Sequence, residues 1–157
     1  MKIAFVAHDN KKRLMENLVT AYRLTLIKHE LFATGTTGNL IEEATDLPVT
    51  KYLSGQLGGE YQLSIEIVNN GIDLVIFLRD PLNQKSYEPD IHSVLKLCDI
   101  HNIPLASNLA TAEVFLKSLI DEELFKSLSD DSIDSDSIDS DSLKAFPNET
   151  APTTETV

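Results

Sequence analysis

The sequence predicts an α/β fold: a three-layer α/β/α arrangement in which a five-stranded, mostly parallel sheet lies between helices. Five short apolar runs alternate with longer segments whose apolar residues recur every three or four positions. Runs that are apolar throughout are typical of strands buried on both faces, as in a parallel sheet covered by helices. The predicted strands are residues 3–7, 31–33, 49–53, 74–78 and 103–106.

The predicted helices follow these strands in order, and the first helix is the clearest. Between residues 11 and 28, one apolar stripe recurs at every fourth position, at Leu14, Leu18, Tyr22 and Leu26. We expect the second helix to begin at Asn39, after the turn that follows the second strand. The remaining predicted helices are residues 60–69, 89–101 and 110–120.

The charge of the chain is concentrated at its C-terminal end. The formal net charge of the 157 residues is -12. Residues 121–157 carry eleven Asp or Glu side chains against two lysines, a net charge of -9, which leaves -3 for residues 1–120. An acidic balance of this size argues against nucleic acid or an anionic membrane as a partner.

Composition and cysteine usage indicate one folded domain in a reducing compartment. The apolar fraction of 42% and charged fraction of 24% are ordinary for a globular protein. No run of 18 apolar residues is present, and residues 1–6 lack the longer apolar region of a signal peptide, so we expect a cytoplasmic location. Cys98 is the only cysteine, which excludes an intramolecular disulfide and a thiolate metal cluster.

A low-complexity acidic segment follows the predicted domain. Residues 131–135 and 136–140 are two copies of Asp-Ser-Ile-Asp-Ser. Such sequence buries too little apolar area to offset chain entropy, so we divide the chain into a domain at 1–126 and a disordered tail at 127–157. A solubilising role is the simplest interpretation of the tail; calcium binding or phosphorylation at Asp-Ser is the alternative.

The segment 33–38, Ala-Thr-Gly-Thr-Thr-Gly, places three hydroxyls and two glycines where the second strand ends. Backbone N–H groups, threonine hydroxyls and the positive end of a following helix favour binding of an oxyanion, most simply phosphate. An ordinary helix N-cap with a tight turn is the alternative, because threonine and glycine are common there.

Polar residues also follow the other strands, at the edge of a parallel sheet where ligands bind. They are His8 and Lys12 after the first strand, Ser54, Gly55 and Glu60 after the third, Asp80 after the fourth, and Ser107 and Asn108 after the fifth. Each has a structural alternative. His8 is also suited to capping a helix and Lys12 to a solvated helix face. The helix dipole favours Glu60 at a helix start whatever its chemistry, and Asp80 precedes a proline in a turn.

Taken together, the motifs resemble the methylglyoxal synthase family over residues 1 to about 120. The motifs that carry the resemblance are Val6-Ala7-His8-Asp9, Ala33-Thr34-Gly35-Thr36-Thr37-Gly38, Ser54-Gly55-x-Leu57-Gly58-Gly59, Phe77-Leu78-Arg79-Asp80-Pro81-Leu82 and Glu88-Pro89-Asp90. The resemblance implies a homo-oligomeric lyase, a hexamer as in the family, without a metal or organic cofactor. The reaction it implies converts dihydroxyacetone phosphate to methylglyoxal and inorganic phosphate through an enediolate.

The resemblance also implies roles for individual residues. His8 and the residue at position 87 would face the oxygens of the substrate, and Asp80 and Asp90 would complete the acidic side of the pocket. The residues that would hold the phosphate are Lys12, Thr34, Gly35, Thr36, Thr37, Ser54 and Gly55.

Three positions depart from the family pattern. Glu60 stands where the family has the aspartate that acts as catalytic base, and Tyr87 stands where it has a histidine. Gln56 replaces a usual proline. The extra methylene of Glu60 displaces its carboxylate by about 1 Å, which can cost roughly a hundredfold in rate. Tyr87 donates a hydrogen bond but carries no positive charge at neutral pH.

Two hypotheses follow from this set of residues. The first is a methylglyoxal synthase with Glu60 as base and altered turnover. The second is a non-catalytic module that binds or senses a phosphometabolite, since the same fold occurs as the regulatory domain of carbamoyl phosphate synthetases. Asp80 and Asp90 favour the enzyme, because carboxylates beside a phosphate oppose anion binding and have little use in a module that only binds.

Overall fold

A computed structural model of the chain describes residues 1–131 and confirms the α/β fold. The five strands form one sheet in the order β3-β2-β1-β4-β5, and every adjacent pair is parallel. From β1, the chain adds β2 and β3 on one side of the sheet and then β4 and β5 on the other. The switch point therefore lies between β1 and β4, and ligands bind at such switch points in open parallel sheets. The strands are β1 (Lys2–Ala7), β2 (Glu30–Ala33), β3 (Val49–Lys51), β4 (Leu74–Leu78) and β5 (Leu105–Ala106).

The helices occupy the predicted places but differ at several boundaries. They are α1 (Lys12–Ala21), α2 (Arg23–Leu26), α3 (Gly35–Thr45), α4 (Gly59–Val68), α5 (Ile91–His101) and α6 (Leu109–Asp131). The single helix predicted over residues 11–28 is two helices, because Tyr22 leaves the helical conformation between them. The apolar stripe continues through this break, since Leu18 and Leu26 are both buried.

Helix α3 begins at Gly35 rather than at Asn39, so the Thr/Gly segment is the first helical turn and not a loop before it. The N–H of Gly38 donates to the carbonyl oxygen of Thr34 at 2.7 Å, which is the first α-helical hydrogen bond. A Cβ atom on Gly35 would lie 3.1 Å from the carbonyl oxygen of Tyr52. Close packing against this carbonyl thus favours glycine at a position where its low helix propensity indicates a turn.

Two apolar layers cover the two faces of the sheet. Ile3 and Phe5 of β1 pack with α1, α3 and α6, whereas Ala4 and Val6 pack with α4 and α5. This alternation along one strand is the period-two pattern of extended chain. Cys98 belongs to the second layer, where burial raises the pKa of its thiol to about 11. It is packed rather than reactive.

The chain divides into two units, Met1–Glu122 and Glu123–Val157. In the second unit the structure describes residues 123–131, which are helical, so the first five residues of the predicted disordered tail are not disordered. The prediction for residues 132–157, including most of the Asp-Ser repeat, lies outside the described residues. Across residues 1–131, no helix is both long enough and apolar enough to cross a membrane.

Candidate functional site

A cavity of about 130 Å³ lies at the carboxyl edge of the sheet. Its walls come from four segments: the turn after β1, the first turn of α3, the turn after β3 and the loop after β4. The lining residues are Ala7, Asp9, Lys12, Thr34, Thr36, Ser54, Gly55, Gln56, Tyr87, Glu88 and Pro89.

One wall is the N-terminus of α3. Thr34 is the N-cap residue, and its side chain caps no backbone N–H group. The N–H of Gly35 donates to the carbonyl oxygen of Leu53 at 3.2 Å, whereas within residues 1–131 the N–H groups of Thr36 and Thr37 have no acceptor. Free N–H groups together with the positive end of the helix dipole are the groups to which an anion can bind.

Lys12 supplies a positive charge to the same wall. Its Nζ donates to the carbonyl oxygen of Ala7 at 2.7 Å and to Oγ1 of Thr37 at 3.0 Å. An ammonium has three N–H donors, so one remains for a ligand in the cavity. Burial lowers the pKa of Lys12, and the negative charges of Asp9 and Glu88 oppose that shift.

A second wall, next to the N-terminus of α3, is the turn that contains Ser54 and Gly55. Ser54 has an extended backbone and ends the segment after β3, and Gly55 begins a short 3-10 helix. A Cβ atom on Gly55 would lie 2.8 Å from Cδ and Cγ of Pro89. Only glycine allows this turn to approach the loop after β4 so closely, and the approach closes the cavity on that side.

We therefore expect Gly55→Ala to destabilise the protein by about 1–3 kcal/mol, because the added methyl group overlaps the ring of Pro89. Urea denaturation measures this change as a lower transition midpoint. Gln56→Ala is the control, since Gln56 is exposed in the same turn and its replacement should change stability by less than about 0.5 kcal/mol. Equal midpoints for Gly55→Ala and the parent would contradict the role of this contact.

His8 is buried, with 1% of its surface exposed, and connects two loops. Its Nδ1 accepts a hydrogen bond from the N–H of Asp80 at 2.9 Å, and its Nε2 donates to the carbonyl oxygen of Pro89 at 2.8 Å. These partners fix the neutral tautomer that carries its proton on Nε2. Oε2 of Glu88 lies 4.0 Å from Nδ1, but a neutral ring makes no ion pair with it.

Asp80 is also buried, and it holds the turn after β4. Its Oδ1 accepts hydrogen bonds from the N–H groups of Leu82 and Asn83, and its Oδ2 accepts one from Nδ2 of Asn10 at 2.7 Å. The hydrogen bond from Asn10 is the main reason that the pKa of Asp80 is lowered. Oδ1 is thus bonded within the turn after β4, and Oδ2 is bonded to the turn after β1.

Glu60 and Asp90 contact each other beside the cavity without lining it. Glu60 lies in the first turn of α4, and its Oε2 accepts a hydrogen bond from the N–H of Asp90 at 2.8 Å. Asp90 is the N-cap of α5, and its Oδ1 accepts from the N–H of His92 at 3.1 Å. Pro89, which precedes Asp90, lines the cavity.

Asp9 is a carboxylate that lines the cavity, and it is bonded to the loop after β4. Its Oδ2 accepts hydrogen bonds from the hydroxyl of Tyr87 at 2.8 Å and from Nζ of Lys85 at 3.2 Å. Its backbone N–H donates to Oε1 of Glu88 at 2.7 Å. The hydrogen bond from Tyr87 contributes most to lowering the pKa of Asp9, and Lys85 adds to it.

Known proteins have sequences similar to that of this chain. The model of the MGS-like domain matches residues 16–107. The methylglyoxal synthase of Alkaliphilus metalliredigens (strain QYMF) is 55% identical over 119 residues, which is 76% of this chain and 89% of that protein. The methylglyoxal synthase of Bacillus subtilis (strain 168) is 51% identical over 126 residues, 80% of this chain and 91% of that protein.

The chain belongs to the methylglyoxal synthase family. A solved structure agrees: the crystal structure of methylglyoxal synthase from Elizabethkingia anophelis NUHP1 superposes with a TM-score of 0.71 at 43% identity. The match covers 73% of this chain and 76% of that chain. The family and the fold implied by the sequence motifs are both confirmed.

Within this methylglyoxal synthase fold, the predicted site residues fall into two groups. The cavity is lined by Lys12, Thr34, Thr36, Ser54, Gly55 and Tyr87. The predicted residues that do not line it are His8, Gly35, Thr37, Glu60, Asp80 and Asp90. In the second group, Thr37 acts on the cavity through its hydrogen bond to Lys12, and His8 through its bond to Pro89.

Asp9, Lys85 and Glu88 were missed as individual site residues. Asp9 and Glu88 lie inside motifs that the sequence singled out, each next to a residue that was chosen. Because His8 has an extended backbone, it and Asp9 face in different directions, and it is Asp9 that faces the cavity. Lys85 lies in an irregular loop, where the sequence gives no periodicity to indicate its direction.

Proposed function

We propose that this protein is a methylglyoxal synthase that converts dihydroxyacetone phosphate to methylglyoxal and inorganic phosphate. The observation that carries the proposal is one cavity that is lined by Lys12, by the N-terminus of α3 with its free N–H groups, and by the Ser54-Gly55 turn. Its volume of about 130 Å³ suits a small phosphorylated molecule. The curated relatives at 50–56% identity, all named methylglyoxal synthase, support the same activity.

The reaction requires a base, a donor to the carbonyl oxygen and a site for the leaving phosphate. The base removes a proton from the carbon that carries the free hydroxyl, and the electron pair moves to the carbonyl oxygen to form an enediolate. That hydroxyl then loses its proton and becomes the aldehyde, the double bond shifts toward the carbon that carries the phosphate, and the bond between that carbon and the phosphate oxygen breaks. Protonation of the resulting enolate at the same carbon gives the methyl group of methylglyoxal. Since the substrate supplies both the electron pair and the leaving group, the route needs no metal or organic cofactor.

The phosphate group would occupy the wall formed by α3 and Lys12. The N–H groups of Thr36 and Thr37, the hydroxyl of Thr34 and the third donor of Lys12 would bind its oxygens. Ser54 and the backbone of Gly55, next to the N-terminus of α3, would complete the phosphate site. This cradle stabilises negative charge as it develops on the leaving group, which is an interaction that grows along the reaction.

Glu60 is our candidate for the base. The N–H of Asp90 holds Oε2 of Glu60, and Oε1 remains for the substrate carbon. Asp90 would therefore position the base, while Asp80 and His8 brace the loop that carries Pro89. The hydroxyl of Tyr87 donates its one proton to Oδ2 of Asp9. When substrate binds, it would exchange that hydrogen bond for one to an oxygen of the enediolate, as the neutral donor that such a step requires.

The test is release of methylglyoxal and phosphate when purified protein is mixed with dihydroxyacetone phosphate. We expect measurable turnover in the parent and faster turnover in Glu60→Asp, because the shorter side chain restores the family arrangement of the base. The expected gain is about tenfold or more in kcat. Tyr87→His provides a second comparison with the family pattern.

One observation favours the alternative of a phosphometabolite-binding module: Glu60 is bonded to Asp90 beside the cavity and does not line it. The same experiment separates the two functions. If the parent and Glu60→Asp both fail to release methylglyoxal, while isothermal titration calorimetry detects binding of inorganic phosphate, the enzyme proposal is wrong and the binding module is supported.

A further inference from the structure

Three side chains meet at the mouth of the cavity, and we refer to them as the Asp9–Tyr87–Lys85 cluster. The hydroxyl of Tyr87 and the Nζ of Lys85 both reach Oδ2 of Asp9, at 2.8 and 3.2 Å. Nζ of Lys85 also lies 5.6 Å from the centre of the Tyr87 ring, within the range of a cation–π contact. Two donors on one carboxylate oxygen leave Oδ1 of Asp9 for the cavity.

Glu88 fixes the geometry of this cluster through the backbone. Its Oε1 accepts from the N–H of Asp9 at 2.7 Å, and its Oε2 accepts from the N–H of Lys85 at 2.8 Å. One carboxylate thus ties the turn after β1 to the loop after β4. Because both backbone N–H groups bind the same carboxylate, the side chains of Asp9 and Lys85 are held close to each other.

Asp9 presents an electrostatic problem for a site that binds an anion. A carboxylate in the lining repels a phosphate dianion, and the repulsion is strong where solvent is partly excluded. The hydroxyl of Tyr87 stabilises the carboxylate but has no charge at neutral pH. Lys85 is the member of the cluster that carries a positive charge.

We propose that Lys85 is a positioning residue of this site, which acts through Asp9 and Tyr87 and supplies the positive charge that allows an acidic cavity to accept a phosphorylated ligand. With Tyr87 it forms what we call a divided donor. The hydroxyl of Tyr87 would exchange its bond to Asp9 for a hydrogen bond to the ligand, while the ammonium of Lys85 stays on Asp9 and provides the positive charge. The effect of Lys85 on ligand affinity is inferred from the geometry of the cluster alone. The effect on turnover rests on the proposed function.

The ion pair itself contributes little to stability. The side chains of Lys85 and Asp9 are 45% and 43% exposed, and pairs of such exposure contribute little to folding free energy. Replacing Lys85 should therefore leave the fold intact. A change in ligand affinity can then be attributed to the lost positive charge of Lys85 and not to unfolding.

Calorimetry with inorganic phosphate tests the effect on binding. We expect Lys85→Gln to weaken phosphate binding about three- to tenfold and Lys85→Arg to bind within about twofold of the parent. Lys96→Gln is the matched control, because Lys96 is an exposed lysine on α5 that lines no part of this cavity. Unchanged affinity in Lys85→Gln overturns the proposal. So does an Arg variant as weak as the Gln variant, since that result indicates packing and not charge.

A pH comparison tests the divided donor in turnover. A histidine at position 87 would face Asp9 and Lys85, with Lys12 and Glu88 as the other charged groups in the lining. In a Tyr87→His background, we expect Lys85→Gln to reduce kcat/KM less than about twofold at pH 6, where imidazole is charged, and about fivefold or more at pH 8. A reduction that does not depend on pH overturns the proposed divided donor.

The two proposals fail in different ways. If the parent and Tyr87→His release no methylglyoxal, the proposed function is wrong, and the calorimetric comparison alone decides the role of Lys85. If the parent turns over while Lys85→Gln equals Lys96→Gln in both phosphate affinity and kcat/KM, the role of Lys85 is wrong and the proposed function stands.

Discussion

Glu60→Gln is expected to reduce kcat for release of methylglyoxal by about 10³-fold or more, while phosphate affinity stays within about twofold of the parent. Glutamine has the size of glutamate, and its amide oxygen can still accept the hydrogen bond from the N–H of Asp90. The substitution therefore keeps the local structure and removes the basic oxygen. Steady-state assays with dihydroxyacetone phosphate measure the rate, and calorimetry with inorganic phosphate measures the affinity.

Glu43→Gln is the control for Glu60→Gln, because Glu43 is exposed on α3 and the change in charge is the same. Its kcat should equal that of the parent. If Glu60→Gln keeps its kcat within about threefold, Glu60 is not the base. Asp9, the acidic residue that lines the cavity together with Glu88, would then be the first alternative, and Asp9→Asn would test it.

Most of the fold could be predicted because the strands are buried on both faces. All five residues of β4 are buried, so the run Leu-Val-Ile-Phe-Leu admits few other interpretations. The break at Tyr22 could not be predicted, since the apolar spacing is the same on both sides of it. The true start of α3 was missed because a tertiary hydrogen bond, from the N–H of Gly35 to the carbonyl oxygen of Leu53, opposes the low helix propensity of Gly35.

The site was predicted as a set of segments more accurately than as a set of side chains. Ligand-facing segments are fixed by topology, because the carboxyl ends of parallel strands share one edge. Which side chain faces the cavity depends on the backbone angles of a turn. At the end of β1, His8 is buried and Asp9 faces the cavity. After β4, Asp80 is bonded through Oδ1 to its own turn and through Oδ2 to Asn10 of the turn after β1. The sequence pattern does not predict those backbone angles.

The second large effect is expected at Lys12. Lys12→Met should weaken binding of inorganic phosphate by about tenfold or more, because it removes the ammonium whose third donor is available to the ligand. The substitution also leaves the carbonyl oxygen of Ala7 and the hydroxyl of Thr37 without this donor. We therefore expect an additional loss of about 1–3 kcal/mol in the free energy of unfolding. Calorimetry and urea denaturation measure the two effects separately.

Lys11→Met is the matched control, because Lys11 precedes Lys12 in the chain, loses the same charge and does not line the cavity. Its phosphate affinity should remain within about twofold of the parent. If the two variants lose affinity equally, the net charge of the turn governs binding and the direct contact from Lys12 is wrong. If Lys12→Met alone loses affinity and keeps a single cooperative unfolding transition, the lysine that faces Thr37 binds the phosphate, because neither distant charge nor loss of the fold accounts for that difference.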